Sequence, residues 1–191
     1  MTLRERKKAQ TRALIQRAAL RLFREHGYAA TTVEQIAEAA EVSPSTLFRY
    51  FPSKEDLVLV DQLPAFTAAL RAAPPELGPV AAVRQAIRTV TAEQDPDHLA
   101  ESVERELLMI TVPELWSASL RNITSASTSL RTILAERLSR DPVDLRAVTG
   151  AIMGVISAVW FDWADDPTLD GAAEVDRALA DLEVLDERFT K

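Results

Sequence analysis

The chain has 191 residues, of which 47% are hydrophobic and 27% charged, and its formal net charge is −7. That is enough apolar material for a buried core, in one large domain or a small domain joined to a larger one, and it argues against disorder. The sequence contains no cysteine, which excludes disulfides, thiolate catalysis and cysteine-ligated zinc.

Along the chain, apolar residues recur at spacings of three and four, the helix period, and strand signals are almost absent. A first helix is expected over 3–25, with Ile15, Ala18, Leu22 and Phe23 toward one side and Gly27 as its C-cap. Its basic start never becomes an uninterrupted apolar stretch, which argues against a signal peptide. Thr32 followed by Gln35 is a capping-box pattern, so a second helix starts at Val33 and carries Ile36, Ala37 and Ala40. A three-residue break, Glu41-Val42-Ser43, follows. Ser43 is a good N-cap, and Pro44 suits the first helical position, where its missing N–H costs nothing. This third helix ends near Tyr50, because Pro52 disfavours helix at Phe51. Ser53 with Asp56 is again box-like and launches a fourth helix over 54–72, kinked at Pro64.

After a loop at 74–79 (PPELGP), helices are expected over 80–93, 98–110, 113–140, 143–164 and 172–189. The breaks are Asp95-Pro96-Asp97, Asp141-Pro142 and ADDPTLDG at 164–171. The expected fold is all-α with about nine helices: a three-helix domain over 1–53 and a larger helical bundle over 54–191. No apolar run approaches the ~20 residues of a membrane-spanning helix. His26 and His98 form no helical ligand pair, and the five glycines form no phosphate loop. A helical enzyme or binding module is the alternative class, but no catalytic set is found. Neither a metal nor a cofactor is expected.

Charge is unevenly placed. Residues 1–54 hold ten Lys/Arg against five Glu, a surplus of +5, while the remaining 12 basic and 24 acidic residues leave −12. A basic head on an acidic body points to a polyanion partner for the head alone. The second and third helices, joined by a three-residue turn, make a helix-turn-helix candidate. Such a unit lays its second helix in a major groove ~12 Å wide. Ile36, Ala37, Val42, Leu47 and Phe51 can pack its inner side. Ser45, Thr46 and Arg49 can face outward, and Arg49 can grip a guanine with two hydrogen bonds. The helix starts at Thr32, Ser43 and Ser53 offer N–H groups to phosphates. Tyr50 and Lys54 add a hydroxyl and a charge.

The segment AATTVEQIAEAAEVSPSTLFRYFPSKEDL resembles the DNA-binding segment of TetR-family transcriptional regulators. The shared elements are Thr31-Thr32, Ile36-Ala37, Val42-Ser43, Thr46-Leu47-Phe48 and Tyr50-Phe51 running into Lys54-Glu55. Ala18-Ala19, Phe23 and Gly27-Tyr28 match the family's first helix, so the likeness covers about residues 8–60. The resemblance implies phosphate contacts from Thr32, Tyr50 and Lys54, and base-facing positions at Pro44, Ser45 and Arg49. Two departures stand out: Phe48 replaces a common Tyr, and Val33 stands where some members place a base-reading Arg. Arg4, Arg6, Lys7 and Lys8 either reach DNA or belong to a solvated, frayed helix end.

The resemblance further implies a cytoplasmic homodimer on a double-stranded palindromic operator. In the sequence, Leu145, Val148, Ile152, Val155 and Val159 form one apolar stripe, and Leu179 and Leu182 belong to a second with Val175 and Leu185. These are the candidates for a dimer interface. The resemblance also implies a pocket for a hydrophobic small-molecule effector. Its lining candidates are Phe66, Leu70, Ile87, Leu107, Ile110, Trp116, Leu120, Ile123 and Trp160. The body's composition is similar to that of mycofactocin-type regulators, whose ligands are acyl-thioester-like. A ligand-released repressor is therefore expected. The alternative is a DNA-binding protein of the same fold whose body is filled by side chains.

Overall fold

The computed structural model describes residues 2–59, 63–92 and 96–189, with backbone alone for 96–98 and 185–189. Among these residues the chain forms nine α-helices and no strand. They are α1 (Leu3–His26), α2 (Val33–Ala39), α3 (Pro44–Tyr50), α4 (Leu63–Ala72), α5 (Pro79–Ala92), α6 (Pro96–Thr111), α7 (Pro113–Leu138), α8 (Arg146–Asp165) and α9 (Gly171–Phe189). The expected break at Asp95 and the side chains of His98 and Leu185 lie outside the described residues.

The fourth helix differs from expectation. In place of one element over 54–72, a 3-10 turn at Glu55–Leu57 is followed by a separate α4. The Ser53–Asp56 box is present, with Ser53 N–H donating to Asp56 Oδ2 at 2.9 Å. It opens only this turn because Leu57 and Val58 are drawn into the core beneath α1. Pro64 then falls in the first turn of α4, where proline breaks no helical hydrogen bond.

Packing divides the chain into two compact units. One holds residues 1–60 together with 97–119, the other 61–96 with 120–191. Packing assigns α6 and the first turns of α7 to the same unit as α1–α3, which the division expected at 53/54 does not. In that first unit, Ile15, Phe23, Ile36, Leu47, Phe51, Leu57 and Leu115 form the core. Arg24 of α1 grips Glu104 of α6 through two hydrogen bonds of 3.1 and 2.6 Å.

The core of the second unit contains Leu70, Val80, Val83, Leu134, Ile152 and Leu179. Arg137 of α7 closes the end of α4, donating to the carbonyls of Leu70, Ala73 and Pro74. Arg84 of α5 reaches α9, donating to Asp176 at 3.2 and 3.3 Å and to Glu183 at 2.8 Å, and Arg88 holds Asp176 at 2.9 and 2.7 Å. The hydrogen bond from Arg88 chiefly keeps the Asp176 carboxyl below its ordinary pKa; desolvation opposes it, and the Arg84 hydrogen bond and the charges of both arginines add to the lowering. A depressed carboxyl stabilises the fold above its unfolded pKa of ~3.9, and that contribution is lost as pH falls through the folded value. Acid titration followed by circular dichroism is therefore expected to show the wild type losing stability below about pH 4. Asp176→Asn should flatten that limb while lowering stability at neutral pH.

One expectation about apolar length is corrected at α8. Its mean hydropathy of 1.4 over 18 residues meets the composition and length of a membrane-spanning helix. In the structure Ile152, Val159 and Trp163 turn inward as part of a protein core.

Candidate nucleic-acid interface

Two capped corners build the interface. Thr32 Oγ1 accepts from Gln35 N–H at 3.2 Å, and Gln35 Oε1 takes the Thr32 N–H at 2.8 Å. The turn after α2 places Glu41 in the left-handed region, φ 53°, and Val42 N–H bonds back to the Ala37 carbonyl at 2.9 Å. Ser43 Oγ then accepts from Thr46 N–H at 3.1 Å, with Pro44 in the first turn. Two of the amides expected to be open to phosphates, those of Thr32 and Ser53, are spent inside their own boxes.

α3 is anchored by Leu47, fully buried, while Pro44, Ser45, Phe48 and Arg49 are exposed. Thr46 and Tyr50 are half-buried at the flanks. The hydroxyls of Ser43, Ser45 and Thr46 form a linked cluster with 3.0 Å spacings at the start of the helix. The Arg49 guanidinium rests 5.5 Å from the centre of the Tyr50 ring.

Two residues of α1 that sequence reasoning passed over hold the far end of α3 and the 3-10 turn after it. Arg12 of α1 donates to the Tyr50 carbonyl at 3.0 Å and lies 4.2 Å over the Phe51 ring. Gln16, one turn further along α1, donates to the Leu57 carbonyl at 3.3 Å. The signal available was their i, i+4 spacing beside an apolar face, which is common on any helix.

Lys54 is placed differently from expectation. Its ammonium donates to the Tyr28 carbonyl and sits 4.2 Å over the Tyr28 ring, with the Phe23 ring 5.7 Å away. Desolvation lowers its pKa, partly countered by Glu55 and Glu114. Burial, reinforced by the same two carboxylates, pushes the Tyr28 hydroxyl up to about 12. The cation therefore already has partners inside the unit. Lys54→Ala is expected to lower stability in urea melts by about 1–2 kcal/mol while leaving the salt slope of DNA binding nearly unchanged. A slope reduced by about one would mean that Lys54 leaves Tyr28 to take a phosphate.

The nine pocket candidates are split between the units. Leu107, Ile110 and Trp116 belong to the first, and Phe66, Leu70, Ile87, Leu120, Ile123 and Trp160 to the second. Leu70 is fully buried, with Phe66 and Ile87 packed on the same core. Leu107 lines an open groove of about 440 Å³ with Val103, Leu108 and Thr111. Leu120 lines another of about 520 Å³ along α7 with Arg121, Thr124 and Thr128. Thr124 and Thr128 hydroxyls donate to the carbonyls of Leu120 and Thr124, one turn back.

Among the interface candidates, Leu145, Ile152, Val159 and Leu179 are buried in the core of the second unit, and Val148, Val155 and Leu182 pack against it. Ile152 and Val159 thus lie on the inward face of α8, while Val148 and Val155 are half-buried beside it. The outward face carries exposed Ala147, Gly150, Gly154 and Ala158.

Residues 15–60 match the family described as bacterial regulatory proteins of the tetR family, and residues 77–185 match the MftR C-terminal domain. The chain is 38% identical over 180 residues to the HTH-type transcriptional regulator TcmR of Streptomyces glaucescens, covering 85% of this chain and 78% of that protein. Its fold is similar to that of NalD, the secondary repressor of the MexAB-OprM multidrug efflux pump in Pseudomonas aeruginosa (TM-score 0.63, 21% identity, 91% and 94% covered). It is also similar to Thermus thermophilus FadR, a transcriptional repressor in complex with lauroyl-CoA (TM-score 0.51, 28% identity, 88% and 91% covered). These relatives are regulators, not enzymes. A helix-turn-helix with an outward α3, a matching family pattern over each part and a relative aligned along most of the chain agree. The chain belongs to the TetR family of DNA-binding transcriptional regulators, with a C-terminal domain of the MftR type.

Proposed function

We propose that this protein binds a palindromic operator in the bacterial cytoplasm as a homodimer, and represses transcription until a hydrophobic or acyl-type small molecule releases it. The observation that carries the DNA part is the short α3, held from behind by Leu47 and turning Pro44, Ser45 and Arg49 outward. Arg49 supplies the guanine contact, with Ser45 and Thr46 beside it. Thr32, Ser43 and Tyr50 supply hydroxyls to phosphates. A palindrome requires a two-fold protein, and the small residues on the outer face of α8 permit close approach of a second copy. The acyl-type effector is supported by the likeness to FadR, whose structure holds lauroyl-CoA.

The test is fluorescence anisotropy on a palindromic duplex selected from a random pool, at two salt concentrations, with sedimentation to count protomers. Two protomers per duplex, released on adding lauroyl-CoA, are expected. Equal, weak binding to every duplex would sink the operator reading. Tight binding that no acyl-CoA chain length disturbs would sink the effector. Arg49→Ala is expected to weaken the selected duplex by about 10- to 100-fold and to relax preference at one half-site position. A uniform loss across sequences would reassign Arg49 to phosphate.

The competing reading, a regulator without an effector, is favoured by one observation: Leu70, expected in the pocket wall, is fully buried in the core of its unit. Calorimetric titration of the DNA-free protein with lauroyl-CoA separates the two.

A further inference from the structure

α3 is seven residues long and turns about 100° per residue, so its outward arc is small. Pro44, Ser45, Phe48 and Arg49 occupy that arc, opposite buried Leu47. Ser45 is tied to Ser43 by a 3.0 Å contact, and Arg49 leans on Tyr50. Phe48 is 46% exposed, a large apolar side chain amid groups suited to polar contact. A phenyl ring has no donor for a phosphate oxygen, and pressing it on the backbone would only strip water from an anion. In the major groove the apolar feature is the C5-methyl group of thymine.

We propose that Phe48 determines specificity by packing its ring against the methyl group of one thymine in each operator half-site. The inference rests on the DNA-binding reading above. Phe48 and Arg49 are consecutive and diverge by about 100° around the helix, so they reach neighbouring base pairs rather than the same one. The half-site then contains a thymine close to the guanine that Arg49 grips. Adding a hydroxyl at this position would leave the ring, and the thymine preference, in place.

The test replaces each thymine of the selected duplex by deoxyuridine, in both half-sites at once, which removes only methyl groups. The unaltered protein should lose about tenfold in affinity at one symmetry-related position and little at the others. Phe48→Ala should bind the thymine duplex less tightly by a similar factor and become indifferent to uracil at that position. Phe48→Tyr should keep the thymine preference. Thermal melts check that each variant is folded, and the scan on the unaltered protein needs no variant. A flat uracil scan, or a penalty undiminished in Phe48→Ala, overturns the inference. Failure to find any selective duplex overturns the operator reading and this inference together, whereas a selective duplex with a flat scan overturns this inference alone.

Discussion

Leu47→Ala is expected to destabilise the protein by about 2–5 kcal/mol and to abolish tight operator binding, although Leu47 touches no base. Leu47 is fully buried in a core made with Ile15, Phe23, Ile36 and Phe51. It is the one fully buried side chain of α3, whose seven residues are too few to be helical on their own. Truncation removes the transfer energy of the side chain and leaves a void that surrounding rigid groups fill only in part. Without that anchor the helix keeps its Ser43 cap, the partial packing of Tyr50 and the Arg12 bond to its last carbonyl. Urea melts and anisotropy on the same samples check the two effects. Unchanged stability with lost binding would contradict the packing argument, and unchanged binding would show that α3 does not carry recognition.

Gly171→Ala is expected to cost about 3 kcal/mol, the upper end of ordinary overpacking. A Cβ at Gly171 would lie 2.7 Å from the Trp163 ring, closer than real contacts allow. The ring is 3% exposed and has no room to retreat, while Asp170 fixes the start of α9 by accepting from Ala173 N–H at 3.1 Å. Gly154 is the control. A Cβ there meets nothing within 4 Å, so Gly154→Ala should raise protomer stability by about 0.5–1 kcal/mol through helix propensity. If the outer face of α8 seats a second copy, the same substitution should weaken the dimer, which sedimentation reads separately from the melt. Equal melts for the two glycine variants would contradict the close approach at Trp163.

The parts legible in the sequence were those governed by neighbours in the chain. Thr32 with Gln35, and Ser43 with Pro44, announce helix starts through hydrogen bonds spanning three residues, and both caps form. Placements that depend on distant partners are not legible in the sequence. Nothing local tells that Lys54 ends against Tyr28, 26 positions earlier. Nor could the box at Ser53 reveal that the core would claim Leu57 and stop the helix after one turn. α8 was ambiguous for another reason. It is apolar on more than one side, so the stripe of Leu145, Ile152 and Val159 could not be told from an interface until the fold showed which side faced α9 and α5. Glu41 adopts a left-handed backbone without the glycine that usually announces it.

The first helix carries a consequence for heats and rates. Thr2 and Glu5 cap α1 reciprocally, so Arg4, Arg6, Lys7 and Lys8 ride on a helix that already exists. A polyanion meeting these charges does not have to order a floppy arm, and the entropy of coupled folding is absent from the encounter. Calorimetry should then give a heat-capacity change no larger than the covered surface requires. Stopped-flow association should accelerate with falling salt as charge steering dictates, without a slower ordering phase.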